Sequence, residues 1–135
     1  MIIDRVTEKA KASPRLRMNY DLRNSIEDQS QRMLNAIEPG TVWPVHRDKN
    51  TSETGVCIRG HFEELMYAER GMLVETSDMV QGGVVLNIPA GQWHSLRSQE
   101  SGTVLLEVKD GAYRPLEEDE IWKVAGDKKR SPIFR

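Results

Sequence analysis

Three residues in one short run invite a chemical reading: His46, Asp48 and Glu53 in "GTVWPVHRDKNTSETGVCIRG", residues 40–60, a stretch bracketed by glycines. An imidazole and two carboxylates are donors for zinc or a first-row transition metal. His46 and Asp48 are two apart, so with a β-strand over Thr41–Arg47 they project from one face. The polar stretch Lys49–Ser52 can turn the chain, and Glu53, opening an antiparallel neighbour, can reach back toward the imidazole. The same run also fits an ordinary solvated hairpin, and one histidine is too few for a metal site. A second source lies in "GVVLNIPAGQWHS", residues 83–95, where the rigid Pro89-Ala90-Gly91 turn fixes the direction of His94 on the following strand.

Other side chains can line a cavity around such a site. Glu107 and Lys109 alternate with Leu106 and Val108 in "VLLEVKDG". A charged pair on an otherwise apolar strand either meets water or faces a cavity, where Glu107 is the candidate catalytic base. Arg17 and Asn19, on the polar side of "RLRMNYDL", either close the cavity mouth and hold an anionic substrate group or simply face solvent. Cys57 shares strand parity with Glu53, which predicts an inward thiol, either pocket lining or inert. His61 fits no such pattern and is expected to be exposed. Trp43 and Trp93 fall out of parity with His46 and His94, which predicts packing on an outer layer or a partner. The "LEEDE" run, residues 116–120, reads as a solvated face.

The elements that must position these groups fit one domain. The chain has 135 residues, 30% of them charged, balancing to −2. No global field points to nucleic acid or an anionic membrane, despite small basic clusters at Lys9, Lys11, Arg15 and Arg17 and in "DKKRSPIFR", and no recognition helix is legible. One cysteine excludes an internal disulfide and a Cys-based zinc site. The N-terminal residues are charged and lack an apolar core, and no apolar run approaches the roughly 20 residues of a membrane helix. A reduced, soluble, cytoplasmic protein is expected.

Residues 1–12 read as a short helix or arm ended by Pro14, followed by a strand in "RLRMNYDL". A helix is expected over Ser25–Glu38, with Ser25 and Asp28 resembling a capping box and Pro39-Gly40 as the stop. From Gly40 on, short runs at Thr41–Arg47, Glu53–Arg59, His61–Tyr67, Met72–Thr76, Val84–Ile88, Trp93–Ser98 and Thr103–Lys109 alternate with turn signals. That texture predicts a mainly all-β antiparallel sandwich or small barrel. The organisation is then 1–39 as an N-terminal arm, strand and short helix packing on the barrel, 40–115 as the barrel, and 116–135 as an extension and tail.

Spacing joins these fragments. Gly40, five residues, His46, one, Asp48, four, Glu53, six, Gly60 resembles the first cupin motif. Gly83, five residues, Pro89, one, Gly91, two, His94 resembles the second. With "SPRLRMNYDL", "QRMLNAIEPGT", "TSET", "IPAGQWHSL" and "GTVLLEVKDGAY", the chain resembles the WbuC family of cupin-fold metalloproteins over residues 13–115. Members are often found with bacterial surface-polysaccharide genes.

The resemblance implies a cupin-type double-stranded antiparallel β-barrel (jelly roll) holding one divalent metal on His46, Glu53 and His94. Asp48 stands where the motif has a second histidine, and it either binds or stands off. An extra carboxylate blunts Lewis acidity and moves preference from zinc or copper toward manganese or iron(II), with nickel also within the cofactor range. The expected activity is Lewis-acid isomerase, epimerase or lyase chemistry on a small polar molecule, plausible substrates being sugars or sugar acids, or iron dioxygenation. The alternative is a non-catalytic ligand-binding or sensing cupin whose metal site Asp48 has broken. A homodimer is expected by analogy with other cupins, with residues 1–20 covering or exchanging at sheet edges.

Overall fold

Short runs bounded by turns build eight antiparallel strands between Arg17 and Asp110. The computed structural model describes residues 1–122. The strands are β1 (Arg17–Asp21), β2 (Ser30–Ile37), β3 (Glu53–Arg59), β4 (His61–Tyr67), β5 (Leu73–Val80), β6 (Val85–Ile88), β7 (Trp93–Ser98) and β8 (Thr103–Asp110). One sheet has the order β1-β2-β8-β3-β6 and the other β5-β4-β7. β1 and β2 are thus strands of the larger sheet. The chain passes between sheets at Gly60, whose φ is 87°. A Cβ there would collide with the Thr103 hydroxyl and lie 2.7 Å from its Cα, so glycine is required by both backbone and space.

Ile37, Trp43, Cys57, Phe62, Met79, Leu96 and Leu105 form the apolar core. A second cluster lies on the outer face of the larger sheet. There the helix α1 (Ile2–Ala12) lays Val6 and Ala10 on Ala36 and Val104, with Ile2, Ile3, Met18, Leu34 and Ile58 around them. Asp4 in its first turn and Lys9 and Lys11 in its last suit the helix dipole. Ser13, extended ahead of Pro14, ends it. Among the described residues, no helix is long and apolar enough to cross a membrane.

Four expectations need correction. Ser25–Glu38 is not a helix: Ser30–Ile37 is β2, paired along its length with β8. β2 is covered by α1 on one face and by the interior on the other, which blurs its alternation toward a helical pattern. Ser25 and Asp28 close turns instead, accepting from Glu27 N at 3.2 Å and Ser30 N at 3.1 Å. Thr41–Arg47 is not a ladder strand, because Pro44 has no N–H to give; only His46 bridges, to His94 and Ile121. Trp43, freed from strand parity, turns into the core. The "LEEDE" run is not simply solvated, since Glu120 is fully buried. Of the 116–135 extension, residues 123–135, with the second basic cluster, lie outside the described residues.

Candidate metal centre

His46 is placed by contacts at both ends of its segment. Its N–H and C=O exchange 2.9 Å bonds with His94, Trp122 N donates to Val45 O at 2.8 Å, and Arg47 N donates to Glu120 O at 2.9 Å. Gly91, at φ 83°, completes the Pro89-Ala90-Gly91 turn and donates to Asp48 O at 2.7 Å. The turn that aims His94 therefore also grips the chain just past His46. Glu53 opens β3, opposite Ile88 on one side and Lys109 on the other.

The result is a buried cluster: ligand atoms of His46, Glu53 and His94 all lie within 4.8 Å of one another. The two imidazole centroids are 4.3 Å apart. His46 Nδ1 is 3.0 Å from Pro44 O, and His94 Nδ1 is 2.9 Å from Gln92 O. A carbonyl only accepts, so both Nδ1 atoms carry protons and both Nε2 atoms are the donors available to a cation. His94 Nε2 meets Glu53 Oε1 at 2.7 Å.

Burial pushes the Glu53 carboxyl up, but the His94 hydrogen bond and charge, with Lys109 and Glu107, hold it well below its ordinary value. Burial likewise pulls His94 down, and the Glu53 and Glu64 carboxylates override it, raising it to about 9. Without a metal the pair is carboxylate and imidazolium. A cation would replace the Nε2 proton. Two neutral imidazoles and one carboxylate, buried and converging, fit a divalent ion of the zinc-to-manganese series.

Asp48 is not brought into this group. Its carboxylate caps Asn50 N at 3.2 Å and faces Lys109 Nζ and Arg114 Nη2, each at 3.6 Å. With no strand to enforce parity after His46, the chain turns it toward those cations. Glu107 accepts from Asn35 Nδ2 at 2.6 Å and lines two spaces. One is the small pocket around the cluster. The other is a polar cleft of about 290 Å³, whose lining also includes Asn19, Asn35, Lys109 and Tyr113. Gly55, opposite Glu107 in the register, leaves open space where a side chain would project.

Lys109 Nζ also stands 3.9 Å from Glu53 Oε2. Arg17 is buried with its guanidinium 4.5 Å from the Trp43 ring, and it lines a smaller recess beside the cleft. Cys57 belongs to the core; burial raises its thiol, which donates to the carbonyls of Arg59 and Gly60. His61 is half-buried against Asp78 at 2.9 Å, away from the cluster. Trp93 packs on Trp122 and under Arg47.

Sequence reasoning missed Glu64. It is buried beside the cluster, its Oε2 has no hydrogen-bond partner, and burial, with the Glu53 and Glu107 charges, raises its carboxyl well above the ordinary value. The signal was parity: Glu64 shares the inward face of β4 with Phe62 and Met66.

A family model described as "Domain of unknown function (DUF6016)" matches residues 1–79. No curated protein matches the sequence. KdgF from Halomonas sp. is 14% identical with a TM-score of 0.60, covering 76% of this chain and 83% of its own. Bacillus subtilis oxalate decarboxylase, in a study of its Mn(II) centres, is 20% identical with a TM-score of 0.59, covering 86% of this chain. CapF of Staphylococcus aureus, a capsular polysaccharide assembling protein, is 13% identical with a TM-score of 0.64, covering 78% of this chain. This chain spans 30% of the oxalate decarboxylase and 28% of CapF. At such identities the likeness speaks to fold, and the fold is a cupin jelly roll.

Proposed function

The chain belongs to the DUF6016 family, and we propose that it is a metal-binding cupin acting on a small polar molecule, with Glu107 moving a proton. The observation that carries this is the position of Glu107, which lines both the pocket around His46, Glu53 and His94 and the larger polar cleft. A molecule in the cleft meets a carboxyl group backed by a buried donor set. A divalent ion held there by His46, Glu53 and His94 supplies a Lewis acid for a carbonyl, hydroxyl or carboxylate oxygen. Asn35 orients Glu107 through its 2.6 Å bond. Glu64, whose carboxyl burial pushes well above its ordinary value, adds a second acid group at the same pocket. One positioned base and one acid suit isomerisation, epimerisation or elimination.

The finer reading, a WbuC-type cupin working on a sugar-related molecule, rests on the motif resemblance and draws support from the fold likeness to CapF, a capsular polysaccharide assembling protein. Two imidazoles with one carboxylate also form the donor set of iron(II) oxygenases, which keeps oxygen chemistry as an alternative. A homodimer belongs to the same proposal. β1 and β6 are open edges of the larger sheet, and Leu73, Val74 and Val85 are exposed apolar residues on β5 and β6.

A second reading has its own observation. Glu53 is already paired with His94 and approached by Lys109, so the cluster can stand without a metal and the barrel can simply retain a ligand. Metal analysis of protein purified without an affinity tag, beside a His94→Ala control, separates the two. Near-stoichiometric divalent metal that the substitution removes is the expected result. Equal traces in both proteins refute the metal site.

A further inference from the structure

The cleft carries a feature that a proton-moving Glu107 does not use. Arg23 lines it. Asp21 fixes that guanidinium, accepting from Nε at 2.9 and 3.0 Å and from Nη2 at 2.7 Å. The Tyr113 ring lies 5.7 Å from its Cζ. The side chain is 9% exposed, and the remaining nitrogen, Nη1, is buried with no hydrogen-bond partner. A guanidinium N–H withdrawn from water without an acceptor is costly, and native structures rarely leave one so. Arg23 is thus a guanidinium held in place at the cleft wall with donor capacity unspent among the described residues.

The same cleft is lined by Glu107 and Lys109, with Asn19, Gln31 and Asn35. Lys109 Nζ is 3.6 Å from Asp48 and 3.9 Å from Glu53, both beyond hydrogen-bond length. It can therefore turn a donor to a ligand without breaking a bond.

We propose that this cleft binds a small hydroxy-carboxylate, whose carboxylate meets the Arg23 guanidinium at the cleft wall and whose hydroxyl-bearing end meets Glu107 and Lys109. The inference builds on the reading of Glu107 and its cleft as a small-molecule site. Charge selects a carboxylate over a phosphate. Asp21 already neutralises Arg23, and Asp48 and Glu53 face Lys109, so the cleft lacks the surplus positive charge that a dianion needs. The lining mixes polar and apolar surface, and Asn19, Gln31 and Asn35 offer hydrogen-bond partners to hydroxyls. Size selects a monosaccharide-sized molecule: about 290 Å³ is at the low end of small-molecule sites.

Isothermal titration of the full-length chain, with and without added Mn(II), against glucuronate, gluconate, glucose and glucose 6-phosphate tests this. The two carboxylates are expected to bind, and glucose to bind about tenfold more weakly or worse, as the loss of a charged hydrogen bond implies. Arg23→Gln should weaken the carboxylates by about tenfold while leaving metal content alone. Arg23→Lys, which keeps the charge but not the fixed fork, should weaken them too, and thermal melting reports whether each variant is folded. The inference fails if glucose matches glucuronate, if glucose 6-phosphate binds more tightly, if a folded Arg23 variant binds as wild type, or if no probe binds. Carboxylate binding by a chain without stoichiometric metal keeps the inference and removes the metal reading; stoichiometric metal with no preference for carboxylates does the reverse.

Discussion

Glu120 and Glu53 are two buried carboxylates bracketing the segment that carries His46, and they differ in how completely they are satisfied. Glu120 Oε1 accepts from Arg114 Nη1 and Glu117 N, both at 2.9 Å. Its Oε2 accepts from Arg114 Nη2 at 2.9 Å and Lys49 N at 2.8 Å. Glu53 has His94 on Oε1, whereas its Oε2 is buried without a hydrogen bond, as is Glu64 Oε2 nearby. A complete set of partners makes Glu120 a structural clamp that needs nothing further. The incomplete set around Glu53 leaves acceptor capacity that a cation could take up, because buried acceptors are almost always paired in native proteins.

The largest effect expected from this contrast is on stability. Glu120→Ala leaves Lys49 N, Glu117 N and the Arg114 guanidinium without their acceptor and should cost about 3–4 kcal/mol. Arg114 is 37% exposed and can partly rehydrate, which keeps the figure at the low end of buried-pair deletions. Glu53→Gln, in chelator-treated protein, should cost less, about 1–2 kcal/mol, since glutamine keeps the size and can still hydrogen-bond His94 although the charge attraction is lost. Urea unfolding of both variants checks the ordering. If Glu53→Gln proves the more damaging, the division into clamp and site is wrong.

That division explains what was legible in the sequence. β3, β4 and β7 run over the residues expected, Glu53–Arg59, His61–Tyr67 and Trp93–Ser98, because glycine and proline turns bound each one. β2 was hidden because both its faces are covered, so its apolar residues follow no period of two. The convergence of His46, Glu53 and His94 was readable because turn spacing frames each of them. Asp48 belongs to the same motif, yet its direction depends on Lys109 and Arg114, which no local pattern brings near. Glu120 sits in an acidic run that reads as solvated, and only folding supplies its partners. Glu64 drew no reading of its own, although strand parity with Phe62 and Met66 places it inside.

Acid should separate the two carboxylates next. The Arg114 hydrogen bonds, with those from Glu117 and Lys49, hold Glu120 at about 2 against an ordinary 4.5. A carboxyl depressed by folding stabilises fully above its unfolded value and loses that contribution as pH falls toward its folded one. The wild-type chain should therefore lose about 2–3 kcal/mol between pH 4.5 and pH 2 through this residue. Glu120→Gln should show a flatter acid limb in the same urea titrations. An unchanged limb would mean that Glu120 is not the group that titrates.

The smallest effect concerns Glu64, and it sharpens the contrast from the other side. Glu64 shares the pocket with Glu53 but is not one of the three mutually close donors. Burial pushes its carboxyl well above the ordinary value, and Glu64→Gln keeps nearly the same size in the same pocket. Stability should move by less than about 1 kcal/mol, since the amide preserves the packing and can still hydrogen-bond. Metal content should stay at the wild-type level, whereas Glu53→Gln should lower it, because among the described residues it is Glu53 that joins both imidazoles in the close donor set. Metal analysis of the two variants side by side makes the comparison. Loss of metal in Glu64→Gln would extend the donor set to a fourth residue on β4 and redraw the line between the ligands and the pocket around them.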